Sequence, residues 1–354
     1  MPPASLPPIP VIDIGSGGPL ALVRRARPQA EALLAAGSRH FTPALVRLAD
    51  RRGRRWLARA ANPYLPEMDA IARALGRAGV HALNLSHEWA CTSGVAADRD
   101  GGMVLRRTLD WPFDGLGRNL VVARRHGPAG PWLDITWPGF VGVFTAVAPG
   151  RFAAAINQAP LRRRSGLMAA DWLVDRVAVG RSTALPPAHL LRDLFETCRD
   201  YGEARARLMT TPLCLPALFS LCGSRPGEGC VIERTEDRAA SVGAPAAIAN
   251  DWITPVFRPG RARGFDSPTR QCLMAAWQAG GCDGLEWVQP PIANPYTRGA
   301  AVLDPGRGRL VLQGWEASGP ATQILQISAS SAAGREADAP SGVADGHKAA
   351  KSPH

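Results

Sequence analysis

Lysine is almost missing from this chain of 354 residues, which contains only Lys348 and Lys351. The net charge of +11 therefore comes almost entirely from arginine. The chain shows no basic strand interleaved with aromatic residues, no zinc-ligand spacing and no recognised helix-turn-helix, the patterns typical of nucleic-acid binding. We therefore expect no nucleic-acid partner. The arginine excess fits compositional bias, and attraction to an anionic membrane surface is the alternative use of this charge.

Long apolar runs are also missing. Residues 1–10 are rich in proline and lack a basic stretch followed by an apolar one, so no secretory signal is predicted there. No window offers about 18 uninterrupted apolar residues, as a transmembrane helix needs. The cysteines form no Cys-x-x-Cys pair and are odd in number, which disfavours a closed disulfide framework and leads us to expect a cytoplasmic protein. They are Cys91, Cys198, Cys214, Cys222, Cys230, Cys272 and Cys282.

The apolar pattern predicts strands, then helices, then strands again. Helices are predicted at 21–36, 43–61, 66–77, 167–179, 188–198, 202–209 and 267–279. Strands are predicted at 10–14, 80–85, 91–97, 103–110, 119–123, 132–137, 141–146, 152–157, 217–222, 229–234, 246–250, 300–303, 309–315 and 323–327. Residues 329–354 have no periodicity and are predicted to be a disordered tail. This order favours an α+β domain with two antiparallel sheets and helices on their outer faces.

Reactive side chains are concentrated between Cys91 and Asp110. Two predicted strands, 91–97 and 103–110, are joined here by a polar turn that contains glycine. A hairpin brings its two ends together, so Cys91, Arg107 and Asp110 are expected to meet at one end of a sheet. A lone cysteine in a strand is usually a buried apolar residue, but nearby cationic charge lowers the pKa of a thiol and favours a nucleophile.

This stretch resembles the start of the mature chain in the choloylglycine hydrolase and acid ceramidase group of N-terminal-nucleophile (Ntn) hydrolases. The shared pattern is Cys-Thr, a polar turn with glycine, and then Arg-x-x-Asp. Later pieces match in order at 149–157, 250–252 and 266–270, and the matches together span about 180 residues. The resemblance implies a four-layer αββα sandwich. It also implies that residues 1–90 are a mostly helical pro-segment, severed at Ala90–Cys91, and that residues 91–328 are the catalytic domain.

The resemblance further implies a role for each matching residue. Cys91 would be the nucleophile, and its own α-amine, freed by cleavage, would relay protons in place of a histidine. Asp110 would hold that amine, and Arg107 would place positive charge close to the thiolate. Amide groups would stabilise a tetrahedral oxyanion. The residues implied as these amide donors are Asn157 and Asn250, and Arg270 is implied as a further active-site residue.

Each of these residues also has an ordinary structural interpretation. An Arg-x-x-Asp pair is often a surface ion pair, and asparagines that end strands often begin turns. Trp252 is expected either to line an acyl pocket or to lie in the core. Glu233 is a weaker candidate for the substrate side, because relatives place a glutamate in a comparable strand.

The sequence therefore predicts an amidohydrolase that cleaves a linear, non-peptide N-acyl amide with an apolar acyl group through a Cys91 thioester. This mechanism needs no metal or organic cofactor. One alternative is an acyltransferase, in which an amine captures the same thioester. The other is an inactive Ntn-fold binding protein. The expected partners are a small-molecule amide, the chain's own cleaved 1–90 segment and an anionic membrane surface contacted peripherally.

Overall fold

A computed structural model describes residues 5–38, 41–86, 89–278 and 284–328. The predicted tail, residues 329–354, lies outside the described residues. The N-terminal elements are β1 (Val11–Gly15), α1 (Gly18–Arg25), α2 (Arg27–Ser38), α3 (Pro43–Arg59), α4 (Leu65–Leu75) and α5 (Val80–Asn84). The next elements are β2 (Ala90–Ala97), β3 (Met103–Asp110), β4 (Val121–Gly127), β5 (Gly130–Thr136), β6 (Thr145–Ala148) and β7 (Phe152–Gln158).

A helical stretch follows, with α6 (Met168–Arg181), α7 (Pro187–Thr197) and α8 (Tyr201–Thr210). The strands then resume as β8 (Ala217–Gly223), β9 (Gly229–Arg234), β10 (Ala239–Gly243) and β11 (Ala246–Ile248). The last elements are α9 (Ser267–Gln278), β12 (Thr297–Asp304), β13 (Arg309–Glu316), β14 (Gly319–Pro320) and β15 (Leu325–Ile327). The predicted hairpin, β2 and β3, is therefore observed.

Two sheets form the middle of the molecule. Within the described ranges, the larger sheet has eight strands in the order β1-β4-β5-β6-β7-β8-β9-β10. The smaller sheet has the order β11-β2-β3-β12-β13-β14, and β15 also pairs with β13. The pairs are antiparallel except β1 with β4, which run parallel. An apolar core lies between the sheets, with Leu105 contributed by the smaller sheet and Phe152 and Phe219 by the larger.

Helices cover the outer faces of both sheets. Helix α9 packs on β2 and β11 of the smaller sheet, while α7 and α8 pack on the larger sheet. The order of layers is therefore helix, sheet, sheet, helix, and the predicted α+β fold is confirmed. In the part of the chain that the structure describes, no helix is both long enough and apolar enough to cross a membrane.

The segment 1–90 contributes a strand to the larger sheet in addition to its helices. Its strand β1 is the edge strand of the larger sheet, with Val11 opposite Val122. The backbone N–H of Val122 donates to the carbonyl of Pro10 over 2.9 Å. The backbone N–H of Gln323 donates to the carbonyl of Pro7 over 2.9 Å. The segment therefore contributes backbone hydrogen bonds to the fold as well as helices.

The strand predicted at 80–85 is wrong, because these residues form helix α5. The strand was inferred from a short apolar run, which periodicity alone cannot distinguish from a buried helix. Val80 and Leu85 pack into an apolar cluster with the neighbouring helices. His81 lies between Asp50 and Asp69, and the Asn84 amide donates to the Val80 carbonyl over 2.8 Å. These contacts, mostly with distant residues, stabilise the helix over the predicted strand.

Three smaller differences have local causes. The predicted helix at 21–36 is two helices, because the backbone leaves the helical conformation at Ala26. Strand β10 was missed because it is only half-buried and lacks an apolar alternation. Strand β14 was missed because it is only two residues long and contains a proline.

Candidate active site

The β2–β3 hairpin positions the candidate nucleophile. In its register Cys91 lies opposite Leu109, and Ala90 lies opposite Asp110. Cys91 and Leu109 belong to the core between the two sheets, so the alternation of a strand turns Arg107 to the same inner face. Asp110 lies on the other face. The three residues therefore meet at one end of the sheet, as expected, but on two sides of it.

Arg107 surrounds the sulfur of Cys91 with hydrogen bonds. Its Nη2 donates to Cys91 Sγ over 2.7 Å and to the Ile156 carbonyl over 3.1 Å. Its Nη1 donates to the Phe144 carbonyl over 2.7 Å and also to the Thr145 hydroxyl. The thiol of Cys91 is directed at the same Ile156 carbonyl over 3.6 Å. Four acceptors thus fix the guanidinium against the sulfur.

Burial and charge oppose each other at this thiol. Complete burial raises the pKa of Cys91 to about 11, although Arg107 and Arg270 act to lower it and Asp110 adds to the rise. Desolvation wins because the guanidinium is itself enclosed and the sulfur has no contact with water. At neutral pH Cys91 is therefore a thiol in this structure.

Arg270 and Asn250 form the other side of the site. Nη1 of Arg270 donates to the Cys91 carbonyl over 2.8 Å and to the Thr92 hydroxyl over 2.7 Å. Its Nη2 donates to Oδ1 of Asn250 over 3.0 Å, and the same oxygen accepts the backbone N–H of Cys91 over 3.0 Å. Arg270 lies one turn inside helix α9. It therefore contacts the carbonyl of Cys91 directly and the nitrogen of Cys91 through Asn250.

In the intact chain the backbone nitrogen of Cys91 bonds to Asn250 and not to Asp110, so the expected contact of Asp110 with a freed amine stays a prediction. The carboxylate of Asp110 accepts hydrogen bonds from Thr297 Oγ1 and Asn294 Nδ2, each over 2.9 Å, and from Arg270 Nη1 over 3.3 Å. Burial raises the pKa of Asp110, while Arg270, Asn294 and Thr297 act to lower it. The carboxylate is thus a buried anchor for Arg270, and Arg270 in turn contacts the nucleophile.

Asn157 and Asn250 differ in their positions. The amide nitrogen of Asn157 donates to the carbonyls of Ile248 and Ala249 over 3.3 and 3.0 Å, and its oxygen accepts from Ser93 Oγ over 3.2 Å. These bonds join the two sheets and show a structural role for Asn157, while its expected role as an oxyanion donor stays a prediction. The amide nitrogen of Asn250 donates to the Gln158 carbonyl over 2.8 Å, while its oxygen accepts the backbone N–H of Cys91.

Glu233 and Trp252 have their contacts outside the residues that hold Cys91, and their expected substrate role stays a prediction. Glu233 is buried and accepts the backbone N–H groups of Ile253 and Thr254 over 2.5 and 3.1 Å. It thereby holds the loop that follows Asn250. Trp252 packs on Phe257 at 4.7 Å between ring centres, in a separate hollow.

A cleft of about 560 Å³ opens beside the nucleophile. It is lined by Ala90, which precedes the predicted cleavage point, and by Asp110, which lies opposite Ala90 in the sheet. Its walls are mainly apolar and aromatic, with two arginines. They include Trp89, Trp111, Pro112, Leu161, Met168, Trp172, Arg261, Arg263, Gly264, Phe265 and Tyr296.

Asn294, Thr297 and Gly264 were missed by the sequence analysis. Thr297 lies directly opposite Asp110 in the sheet register, 187 residues further along the chain. No local signal in the sequence marks it. Within the described ranges, no group of three or more His, Cys, Asp or Glu side chains is arranged to hold a metal ion.

No protein-family model matches the chain. Curated relatives do match: the acid ceramidase of the chimpanzee, Pan troglodytes, is 28% identical over 267 residues, covering 66% of this chain and 65% of its own. The chain is similar in sequence to the acid ceramidases. The resemblance to the choloylglycine hydrolase and acid ceramidase group is thereby confirmed. The N-acylethanolamine-hydrolyzing acid amidase of the guinea pig, Cavia porcellus, is 28% identical over 197 residues, covering 54% of this chain and 53% of its own.

The match spans 65% of the length of the chimpanzee acid ceramidase. Solved structures with similarity include a Caenorhabditis elegans N-acylethanolamine-hydrolyzing acid amidase ortholog, with a TM-score of 0.48 and 19% identity. That match covers 67% of this chain and 100% of the other. A penicillin V acylase from Agrobacterium tumefaciens gives a TM-score of 0.42 and 16% identity, with coverage of 68% and 86%.

Proposed function

We propose that the chain is a cysteine amidohydrolase that cleaves linear N-acyl amides with an apolar acyl group. The observation that carries the proposal is the position of Cys91. Its sulfur and its nitrogen are both held by separate partners, Arg107 and Asn250, at the edge of a mainly apolar cleft. An ordinary buried cysteine needs none of these contacts. The curated relatives, an acid ceramidase and an N-acylethanolamine-hydrolyzing amidase by name, support the same class of substrate.

The reaction runs in two acyl-transfer steps. The sulfur of Cys91 attacks the amide carbonyl carbon, the S–C bond forms, and the thiol proton passes to the α-amine of Cys91. That amine protonates the leaving nitrogen as the C–N bond breaks. Water then attacks the thioester, the S–C bond breaks, and the carboxylic acid and the thiol are released. Asn250 Oδ1, which accepts the nitrogen of Cys91 in the uncut chain, would orient the amine in both steps.

The proposed base exists only if the chain is cut between Ala90 and Cys91. We therefore include self-cleavage at this bond in the proposal. What supports it is that the described residues supply no other base for turnover: the hydrogen-bond partners of the Cys91 sulfur among them are a guanidinium and a carbonyl, and neither can accept its proton at neutral pH. Ala90 also lines the cleft, beside the sulfur that would attack its carbonyl.

The severed 1–90 segment would stay bound to the rest of the protein. Glu67 accepts a hydrogen bond from Arg192 Nη1 over 2.6 Å, and Trp56 Nε1 donates to the Ser182 carbonyl over 2.8 Å. Strand β1 adds its backbone bonds to the larger sheet. We propose that the mature enzyme is a complex of two fragments.

Mass spectrometry and an activity panel test this proposal. Purified protein is expected to yield two fragments, the larger beginning at Cys91, and to hydrolyse N-acyl amides of several acyl lengths. Cys91→Ala should abolish both events, while Cys272→Ala, at an exposed cysteine, should abolish neither. Full activity of an uncut chain would rule out the amine as base.

The same assay distinguishes the alternatives. Adding primary amines turns an acyltransferase towards new amide products, whereas a hydrolase continues to release the free acid. An Ntn-fold binding protein would stay uncut and would turn over no member of the panel.

Contact with an anionic membrane surface is the second part of the proposal. Leu167, Met168 and Leu173 are 71%, 65% and 58% exposed at the start of α6, next to the cleft. Met168 and Trp172 of the same helix line the cleft itself. With a net charge of +11, such an apolar face is suited to an anionic lipid layer that contains the substrate.

Co-sedimentation with lipid vesicles tests the membrane contact. The protein is expected to bind vesicles with a third of anionic lipid more strongly than neutral ones, and Leu173→Ser should weaken this binding. Ile324→Ser, at a comparably exposed residue outside α6, serves as the control. Equal loss from both variants would mean that α6 is not the contact surface.

A further inference from the structure

Gly264 lies against the residue that would supply the acyl group in self-cleavage. It belongs to the loop between β11 and α9 and has a φ of +72°, a conformation that favours glycine. A Cβ atom built at Gly264 would lie 2.4 Å from Cβ of Ala90, which no real structure tolerates. It would also lie 3.2 Å from Nη2 of Arg270 and 3.7 Å from Oδ1 of Asn250. The backbone of Gly264 therefore forms one wall of the space that holds the Ala90 methyl group.

The position of Ala90 indicates where a substrate's acyl carbon must lie. Under the proposed function, on which this inference rests, the sulfur of Cys91 attacks the Ala90 carbonyl first and substrate carbonyls afterwards. One nucleophile in one site approaches both carbonyls from the same direction. The α-carbon of an acyl group therefore takes the place of Cα of Ala90, and a substituent on it takes the place of the Ala90 methyl group.

We propose that Gly264 determines the acyl-side specificity of the enzyme. Because residue 264 has no side chain, the site accepts acyl groups whose α-carbon bears one methyl-sized substituent, as well as unsubstituted ones. The substrate class is then N-acyl amides that are unbranched or carry a single small α-substituent. Any side chain at position 264 would fill the space of that substituent.

A suppressor experiment on self-cleavage tests the contact. Gly264→Ala should slow cleavage at Ala90–Cys91 at least tenfold, because its methyl group collides with that of Ala90. Ala90→Gly removes the second methyl group, so the double variant Ala90→Gly/Gly264→Ala should recover nearly the wild-type rate. Gly150→Ala is the matched control, because Gly150 has a φ of +73° but nothing within 4 Å of an added Cβ. If the double variant cleaves no faster than Gly264→Ala, the contact is not what matters and the inference is wrong.

The substrate selectivity of the mature enzyme tests the role of Gly264 in turnover. Ala90→Gly and Ala90→Gly/Gly264→Ala, both expected to mature, are compared on two amides that differ only in an α-methyl group. Ala90→Gly should hydrolyse both amides. In the double variant the ratio of kcat/KM for the branched amide to kcat/KM for the unbranched amide should fall by about 10- to 200-fold relative to Ala90→Gly, as expected for a group of this size.

The outcomes separate this inference from the proposed function. An unchanged ratio between the two amides, with good hydrolysis of both, would refute the role of Gly264 and leave the amidohydrolase intact. Wild-type protein that neither cleaves itself nor hydrolyses either amide would overturn the proposed function and this inference with it.

Discussion

Nη2 of Arg107 donates a hydrogen bond to Sγ of Cys91 over 2.7 Å, and neither side chain reaches the solvent. The pair is not simply a thiolate beside a cation, because burial raises the pKa of Cys91 to about 11. The guanidinium offsets only part of the desolvation. Its role is to stabilise the thiolate once a base has removed the proton, at the moment of attack.

Removing Arg107 should therefore slow both self-cleavage and turnover. We expect Arg107→Met to reduce each rate by on the order of 10- to 100-fold, since a hydrogen bond to a charged group contributes about 1.5–3 kcal/mol. Both rates can be followed by mass spectrometry and product release. Arg106→Met removes a buried arginine from the opposite face of the same strand and is the control. Equal losses from both variants would indicate a destabilised strand.

Asn250 is expected to act in maturation as well as in turnover. Its Oδ1 accepts the N–H of Cys91 in the uncut chain. Asn250→Ala should therefore slow self-cleavage by about 10²-fold, a rate loss similar to that seen when one positioned hydrogen-bond group is removed from an active site. The rate of fragment formation measures this directly. If the variant matured at the normal rate and lost only kcat, Asn250 would act solely on the substrate oxyanion.

The hydroxyl of Thr297 should influence the pH dependence of the enzyme through Asp110. Hydrogen bonds from Thr297 and Asn294 lower the pKa of Asp110, so removing one of them raises that pKa further. Asp110 then protonates at higher pH and releases Arg270. We expect Thr297→Val to shift the acid limb of the kcat/KM profile upward, and Thr297→Ser to leave it in place. An unshifted limb in Thr297→Val would exclude Asp110 as the titrating group.

Two tryptophans line different cavities. Trp172 lines the cleft, whereas Trp252 packs on Phe257 elsewhere. Trp172→Ala should raise KM for an N-acyl amide about tenfold, equivalent to ~1.4 kcal/mol of lost binding, with kcat little changed. Trp252→Ala should leave KM unchanged. The reverse result would return Trp252 to the substrate side, as the sequence had suggested.

The parts of the site that could be predicted from the sequence are those built by local geometry. A polar turn between two short strands specifies the hairpin, and strand alternation then turns Arg107 towards Cys91. The partners of Asp110 could not be predicted, because Asn294 and Thr297 reach it through a strand pairing about 185 residues away in sequence. Long-range pairing of this kind leaves no periodic signal.

Glu233 and Asn157 show that a candidate residue can also have a structural role. Both are polar residues within predicted strands, and the resemblance suggested chemistry for them. Both form hydrogen bonds with backbone groups of the chain around residues 248–254. A buried polar side chain must be paired, and the backbone is the commonest partner. The helix at 80–85 was likewise decided by distant contacts, those of His81 with Asp50 and Asp69.

His189 links the N-terminal segment to the catalytic part and should make that link sensitive to acid. Its Nδ1 accepts a hydrogen bond from Nδ2 of Asn62 over 3.0 Å, and the ring packs edge-on against Tyr64 at 5.2 Å. Burial, with a contribution from Arg192, lowers the pKa of His189 to about 3, so the ring is neutral at pH 7. A protonated Nδ1 could no longer accept the bond from Asn62.

The folded-state pKa of His189 lies below its ordinary value of about 6.5, so the unfolded chain binds more protons between these two values. The contribution of His189 to stability is therefore complete above pH 6.5 and declines as the pH falls towards 3. His189→Gln retains an acceptor for Asn62 but cannot titrate. We expect the variant to lose less thermal stability than the wild type between pH 7 and pH 4, by several degrees in Tm.

The mature enzyme should show the same difference in fragment retention. At pH 4 the wild type should release more of the 1–90 segment on size-exclusion chromatography than His189→Gln does. His126→Gln, at an exposed histidine, should behave like the wild type because it removes no link between the segments. Asp134 works in the opposite sense, since burial raises its pKa to about 6, so only the difference between the variants isolates His189. Identical pH curves for wild type and His189→Gln would show that the Asn62–His189 bond does not govern retention of the segment.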